Sequence, residues 1–98
     1  MDTTKIFKEL ADYIMEELAD AQKYIKKALC LKDAHPQLAD MFVQLSAEEL
    51  SHMNREHAEL KKIAMAEPER YELAFELVDE HAMDWAKEIR VLHEMYRE

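Results

Sequence analysis

None of the 98 residues of this chain is glycine, and this absence limits the possible folds more than any other feature. Tight hairpin turns and phosphate-binding loops depend on glycine, because they need positive φ angles or a close approach of the backbone. The Walker loop, the dinucleotide fingerprint and the nucleophile elbow are therefore excluded. Alanine, leucine, glutamate, lysine and methionine, which are good helix formers, dominate the sequence instead. We predict an all-α protein.

Two prolines, Pro36 and Pro68, divide the sequence into three helices, because proline is tolerated only in the first turn of a helix. Thr3 or Thr4 is the predicted cap of the first helix, and Asp33 is the predicted N-cap of the second. The predicted helices span about residues 4–31, 36–66 and 68–98. Their short connections, of about four residues, make neighbouring helices antiparallel.

The whole chain, residues 1–98, is predicted to form a single helical domain with a formal net charge of −9. No apolar run approaches the roughly 20 residues that span a bilayer. The lone cysteine, Cys30, has no partner for an intramolecular disulfide. These features predict a soluble protein of the reducing cytoplasm. The acidic balance disfavours nucleic acid and anionic membranes as partners and suits a protein that gathers cations.

The first helix carries a carboxylate on the face that its apolar residues define. That apolar stripe comprises Leu10, Tyr13, Ile14, Ala21 and Tyr24. Glu17 lies on the same stripe, and an unpaired carboxylate that faces a core is costly. We therefore expect a positive partner for Glu17.

The second helix repeats this anomaly after the apolar positions Phe42 and Leu45. Glu49 and His52 follow, three residues apart and so on one face of the helix. Carboxylate oxygens and an imidazole nitrogen are suitable ligands for iron, manganese or zinc. A di-iron carboxylate bundle takes one Glu from each of two helices and one Glu-x-x-His from each of the other two. With Glu17, one chain supplies half of that set, so we expect a two-fold dimer to form a four-helix bundle around two metal ions.

In these residues the chain resembles the ferritin-like superfamily, and most closely the half-ferritins that include the encapsulated ferritins. The resemblance covers about residues 5–65 and rests on Glu17, on Tyr24 seven residues later and on the motif Glu48-Glu49-Leu50-Ser51-His52. In that family, two helices per subunit pair across a dimer to build a ferroxidase di-iron site. The resemblance implies a ferritin-like domain with Glu17, Glu49 and His52 as iron ligands. It also implies Tyr24 as a catalytic aromatic residue close to the metals.

The chain departs from the pattern of the encapsulated ferritins at two positions. Lys23 stands where they often have a Trp before the Tyr, and Ala19 replaces an acidic residue, whereas the acidic Glu16 matches. Their C-terminal peptide, which directs them into an encapsulin shell, has no evident counterpart, since a third helix is predicted there. An encapsulin shell is therefore left open as a partner.

Other residues offer alternatives to this set of ligands. Glu48 and His52 also share a helix face, at i and i+4, so Glu48 competes with Glu49 as a ligand. The third helix offers further candidate ligands for a site within one chain, namely Glu76, Glu80, His81 and Asp84. The alternative is that this helix packs on the other two with its acids outside. That packing face would comprise Leu77, Val78, Ala82, Trp85, Ile89 and Leu92.

The remaining histidines and methionines have simpler interpretations. We predict that His57 is packed or hydrogen-bonded and that His93 is a surface residue near a helix end. Met15, Met41 and Met53 are interpreted as core filler, which is a common use of methionine in helical bundles.

The sequence predicts a ferroxidase that oxidises Fe(II) to Fe(III) with dioxygen at a di-iron centre between two subunits, with manganese or zinc as substitutes for iron. One alternative is an oxidase or peroxidase of the rubrerythrin kind. Such proteins usually also carry a four-cysteine site, and Cys30 is the only cysteine here. The other alternative is a metal-free helical module that binds a protein partner.

Overall fold

A computed structural model of the chain describes residues 2–98. It contains three helices, α1 (Thr4–Leu31), α2 (Pro36–Ala66) and α3 (Pro68–Arg97), and no strand within that range. The prediction of an all-α chain of three long helices is confirmed. The predicted helix ends agree with the observed ones to within about one residue.

The cap of α2 differs from the prediction. The N-cap residue is His35, with φ −139° and ψ 68°, and not Asp33. The backbone amide of His35 still donates to the carbonyl of Leu31 over 2.8 Å, so the last turn of α1 extends through the loop. Helical geometry breaks at His35 because the ring of Pro36 disfavours the α conformation in the residue before it.

The start of α1 is stabilised by a different side chain from the one expected. Thr3 is the N-cap residue, but its hydroxyl makes no capping bond and is hydrogen-bonded to the hydroxyl of Tyr71, 2.6 Å away. Asp2 accepts the hydrogen bond from the backbone amide of Thr4, at 2.9 Å. This hydrogen bond, together with one between the Asp2 carboxylate and the Thr4 hydroxyl, lowers the pKa of Asp2.

The core is a line of contacts between the antiparallel helices α1 and α2. Its fully buried members from these two helices are Ile14, Leu18, Ala21, Ile25, Ala28, Ala39, Ser46, Met53 and Leu60. Burial of each large aliphatic side chain stabilises the fold by about 1.5–3 kcal/mol. Helices α1 and α2 therefore form a hairpin that carries most of the core.

Helix α3 lies along one face of this hairpin for its whole length. At one end the ring of Tyr71 stacks on Phe7, with 4.8 Å between ring centroids. At the other end the hydroxyl of Tyr96 donates to Asp40 over 2.6 Å. Since Asp40 is at the start of α2 and Tyr96 at the end of α3, these two helices are antiparallel, as predicted.

Most of the predicted packing face of α3 is confirmed. Val78, Ala82, Trp85, Ile89 and Leu92 are buried or half-buried against the hairpin. The prediction for Leu77 is wrong, because this side chain is 63% exposed. Leu77 lies five residues before Ala82, which places the two side chains roughly 140° apart around the helix axis.

Two further predictions are corrected by the structure. His93 is half-buried and hydrogen-bonded to Ser46, so it is not a surface residue. Met41 is exposed and does not fill the core, whereas Met53 is fully buried, as expected. His57 is hydrogen-bonded to Asp79 over 2.6 Å, which confirms its prediction.

The molecule is long and thin, with extents of 52, 22 and 14 Å. Within residues 2–98, no helix combines the length and apolar character that crossing a bilayer requires. Since α3 covers only one face of the hairpin, the opposite face of α1 and α2 has no helix of this chain against it.

Candidate metal centre

Three of the residues singled out from the sequence come together between α1 and α2. Nδ1 of His52 lies 3.7 Å from Oε2 of Glu17 and 3.6 Å from Oε1 of Glu49. One ligand atom from each of the three lies within 4.8 Å of the others. The carboxylates are largely shielded, at 22% and 20% exposed, whereas the His52 side chain is 46% exposed. We call these three residues the Glu-Glu-His cluster.

The Glu-Glu-His cluster lies on the face of the hairpin that α3 leaves uncovered. His57, which binds Asp79 of α3, is five residues after His52, so the two imidazoles project roughly 140° apart from α2. Gln22, which borders α3 beside Trp85, is likewise five residues after Glu17. Both ligand-bearing helices therefore direct these side chains away from α3.

The proximity of the two carboxylates of the cluster changes the pKa of Glu49. A hydrogen bond to the Glu17 carboxylate, together with partial burial and the negative charge of Glu17, raises the pKa of Glu49 to about 7. His52 opposes this shift, and Asp20 adds to it. A bound cation would lower the pKa of Glu49 again, because it relieves the repulsion between the carboxylates.

A further acidic residue, Glu56, lies on the same side of α2 as Glu49 and was not predicted from the sequence. Its Oε1 atom is buried and has no hydrogen-bond partner among residues 2–98. Burial raises the pKa of this carboxyl group, and Glu49 and Glu16 raise it further, whereas His52 lowers it. The spacing Glu49, His52, Glu56 at three and four residues places all three on one face, and this was the signal available in the sequence.

The residues of the cluster fit a transition metal. Metals of this kind bind imidazole nitrogen and carboxylate oxygen at roughly 2.0–2.2 Å, which holds adjacent donors about 3 Å apart. The separations of 3.6 and 3.7 Å from Nδ1 are somewhat longer, and all three ligand atoms lie within 4.8 Å of one another, so small side-chain movements would bring them around a single ion. The raised pKa of Glu49 and the buried Oε1 of Glu56, which has no hydrogen-bond partner among residues 2–98, are further signs of a site with surplus negative charge.

Tyr24 lies farther along α1 from the cluster. Seven residues separate it from Glu17, which is about 10 Å along the helix axis. Its half-buried ring packs against Phe42, with 6.0 Å between centroids, and the amine of Lys23 lies 5.7 Å from the ring centre. Within one chain, Tyr24 is therefore a neighbour of the cluster on the same face and not a member of it.

The alternative ligands do not assemble in the same way. Glu48 is exposed and stands outside the Glu-Glu-His cluster. Glu76, on α3, is also exposed. Further along that helix, His81 and Asp84 border an open depression of about 540 Å³ between α3 and α1. Glu80, the fourth candidate on α3, is exposed as well. Within residues 2–98, no three ligand atoms converge on α3.

Comparisons with protein-family models, characterised proteins and solved structures found no match to this chain. A functional assignment therefore rests on the geometry and chemistry of the Glu-Glu-His cluster itself.

Proposed function

We propose that this protein is a ferroxidase, in which two copies of the chain bind two iron ions between them and oxidise Fe(II) to Fe(III) with dioxygen. The observation that carries the proposal is the convergence of Glu17, Glu49 and His52 on the uncovered face of the hairpin. Two such sets, related by a two-fold axis, make the four carboxylates and two imidazoles of a di-iron carboxylate centre.

The surroundings of the cluster support a partner on that face. Tyr13, one turn before Glu17, is 47% exposed, and Leu38 and Met41 at the start of α2 are 44% and 43% exposed. Apolar side chains that flank a partly shielded polar cluster are typical of an interface between subunits. A second copy laid on this face would cover them and would shield the cluster from water.

The charge of the region supports a cation as the ligand. The Glu17 carboxylate raises the pKa of Glu49, and Glu16, Asp20 and Glu56 are further acidic groups close to the cluster. The chain as a whole carries −9. Doubling this acidic cluster across a two-fold axis without a cation would increase the repulsion, so metal binding and dimer formation are expected to support each other.

Each residue of the cluster has a defined task in this proposal. Glu49 and Glu17 would supply the anionic oxygens that favour Fe(III) over Fe(II). His52 supplies a neutral nitrogen through Nδ1, the atom that faces both carboxylates. Tyr24, on the same face, would either hydrogen-bond a ligand carboxylate or donate an electron. Iron would supply the redox chemistry: two Fe(II) ions would lose one electron each, and dioxygen would take up both electrons with two protons from water to give hydrogen peroxide.

Anaerobic protein titrated with Fe(II) and then mixed with oxygenated buffer tests this proposal. We expect ferric absorbance to rise faster than in buffer alone and to saturate at two irons per dimer. Manganese and zinc are expected to compete for the same site without turnover. Oxidation no faster than in buffer, with no saturation, would rule out the ferroxidase assignment.

A further inference from the structure

We infer that Glu56 is a positioning residue for His52. Its carboxylate accepts a hydrogen bond from the Nε2–H group of His52 and thereby holds Nδ1 towards Glu17 and Glu49. This inference rests on the proposed function, because it concerns how one ligand of the proposed metal centre is oriented.

The first argument concerns the proton on the imidazole of His52. Both ion-pair contacts of this residue involve Nδ1, at 3.7 Å from Glu17 and 3.6 Å from Glu49. A nitrogen that binds a metal carries no proton, so the proton of the neutral ring must be on Nε2. Histidines that bind metals almost always donate this other N–H to a carboxylate, a carbonyl or water, which fixes both the tautomer and the ring orientation.

The second argument concerns the acceptor. Oε1 of Glu56 is buried and has no hydrogen-bond partner among the described residues 2–98, and an unpaired buried acceptor is costly. The His52 ring lies within electrostatic range of this carboxylate. The Nε2–H donor of His52 and this buried acceptor lie one helical turn apart on α2. We expect the bond between them in the metal-loaded protein, in which Nε2 carries the proton.

Burial selects Glu56 over Glu48. Both lie four residues from His52, on opposite sides of it along α2. Glu48 is exposed, whereas Glu56 is partly buried and carries the buried oxygen that lacks a partner among residues 2–98. Glu48 therefore serves as a matched control with the same charge at the same sequence distance.

The test compares Glu56→Ala, Glu56→Gln and Glu48→Gln with the wild-type chain, using Zn²⁺ as a redox-inert probe. Calorimetry measures the zinc affinity, and nitrogen-detected NMR reports which ring nitrogen of His52 carries the proton. We expect Glu56→Ala to weaken zinc binding by about 10–100-fold. It should also abolish the slowly exchanging Nε2–H signal of the zinc-loaded protein. Glu56→Gln keeps a carbonyl acceptor and should retain that signal with an intermediate affinity.

Glu48→Gln should change neither the affinity nor the NMR signal. Equal weakening by Glu48→Gln and Glu56→Gln would show that only total charge matters and would overturn the inference. An unchanged Nε2–H signal in Glu56→Ala would also overturn the inference. In that case, zinc binding by the wild-type chain would still support the proposed metal centre. Failure of the wild-type chain to bind zinc would overturn both.

Discussion

Ser46 joins all three helices through one hydroxyl group. This fully buried side chain of α2 donates to the carbonyl of Ala21 on α1 over 2.7 Å. Since a hydroxyl has a single proton, the contact of 2.8 Å with His93 on α3 must be a hydrogen bond donated by Nε2–H of the histidine. The bond therefore requires the tautomer of His93 that is protonated on Nε2.

Removal of this hydroxyl is expected to weaken the attachment of α3. Ser46→Ala leaves the Nε2–H group of His93 without its acceptor in a half-buried position, which costs about 1–3 kcal/mol. Urea unfolding followed by circular dichroism measures the change in the free energy of unfolding. Ser51→Ala, an exposed serine on the same helix, is the control and should change it by less than about 0.5 kcal/mol.

The same histidine predicts how stability depends on pH. Burial, and to a lesser extent the charge of Arg97, lowers the pKa of His93 below 6.5. As the pH falls below about 6.5, the unfolded chain takes up a proton that the folded chain excludes, so the free energy of unfolding falls. His93→Gln keeps a donor but cannot titrate. The difference in stability between wild type and this variant should therefore change between pH 7.5 and 5.5, and a constant difference would contradict the prediction.

In the metal-free protein, Glu49 is expected to make the free energy of unfolding depend on pH in the opposite direction to His93. Its pKa is raised from 4.5 to about 7, so its contribution to stability is fully present below pH 4.5 and is lost as the pH rises through 7. Glu49→Gln should therefore be more stable than wild type at pH 8, where it removes the repulsion with Glu17. Carbon-detected NMR titration of the glutamate carboxyls gives the pKa directly. A pKa of Glu49 close to 4.5 in the metal-free protein would refute the assignment.

Metal and dimer formation are predicted to be linked through the three ligands. Glu17→Ala, Glu49→Ala and His52→Ala each remove a ligand twice per dimer, so each should abolish the shift from monomer to dimer that Fe(II) or Zn²⁺ causes. Light scattering coupled to size exclusion measures this shift. Glu80→Ala and His81→Ala, on α3, should leave it unchanged. The inter-subunit arrangement would be wrong if these two changes abolished metal binding and Glu17→Ala did not.

The Tyr24→Phe variant tests whether the Tyr24 hydroxyl affects metal binding or the oxidation of ferrous iron. The substitution removes one hydroxyl and keeps the ring that packs on Phe42, so metal affinity should change by less than about threefold. The rate of ferrous iron oxidation should fall if the phenol takes part. Phe42→Leu, which disturbs the same ring contact without removing the hydroxyl, is the control. An equal fall in rate for both variants would assign Tyr24 a packing role only.

Residue spacing could predict the contacts that lie along one helix face, and it could not predict the contacts whose second partner depends on how α3 docks. Glu49 and His52 are three residues apart on one helix, so their proximity followed from the sequence. The burial of His93 did not, because it depends on Ser46, a small polar residue 47 positions away. The prediction that Leu77 packs on the hairpin is wrong because Leu77 lies at the edge of the apolar stripe of α3. Whether such a residue is buried depends on the angle at which α3 packs on the hairpin.

Glu56 illustrates a different limit. Its spacing from His52 was visible, but acidic residues at i and i+4 are frequent on exposed helices of a chain with 22 acidic residues. What distinguishes Glu56 is a buried oxygen without a partner, and burial of a single atom is a property of the packed structure.

Because α3 packs on the face of the hairpin opposite the Glu-Glu-His cluster, the residues that attach α3 are separate from the three candidate ligands. Substitutions on the outer face of α3 should therefore leave the cluster unchanged, whereas α1 and α2 must supply both most of the core and all three candidate ligands.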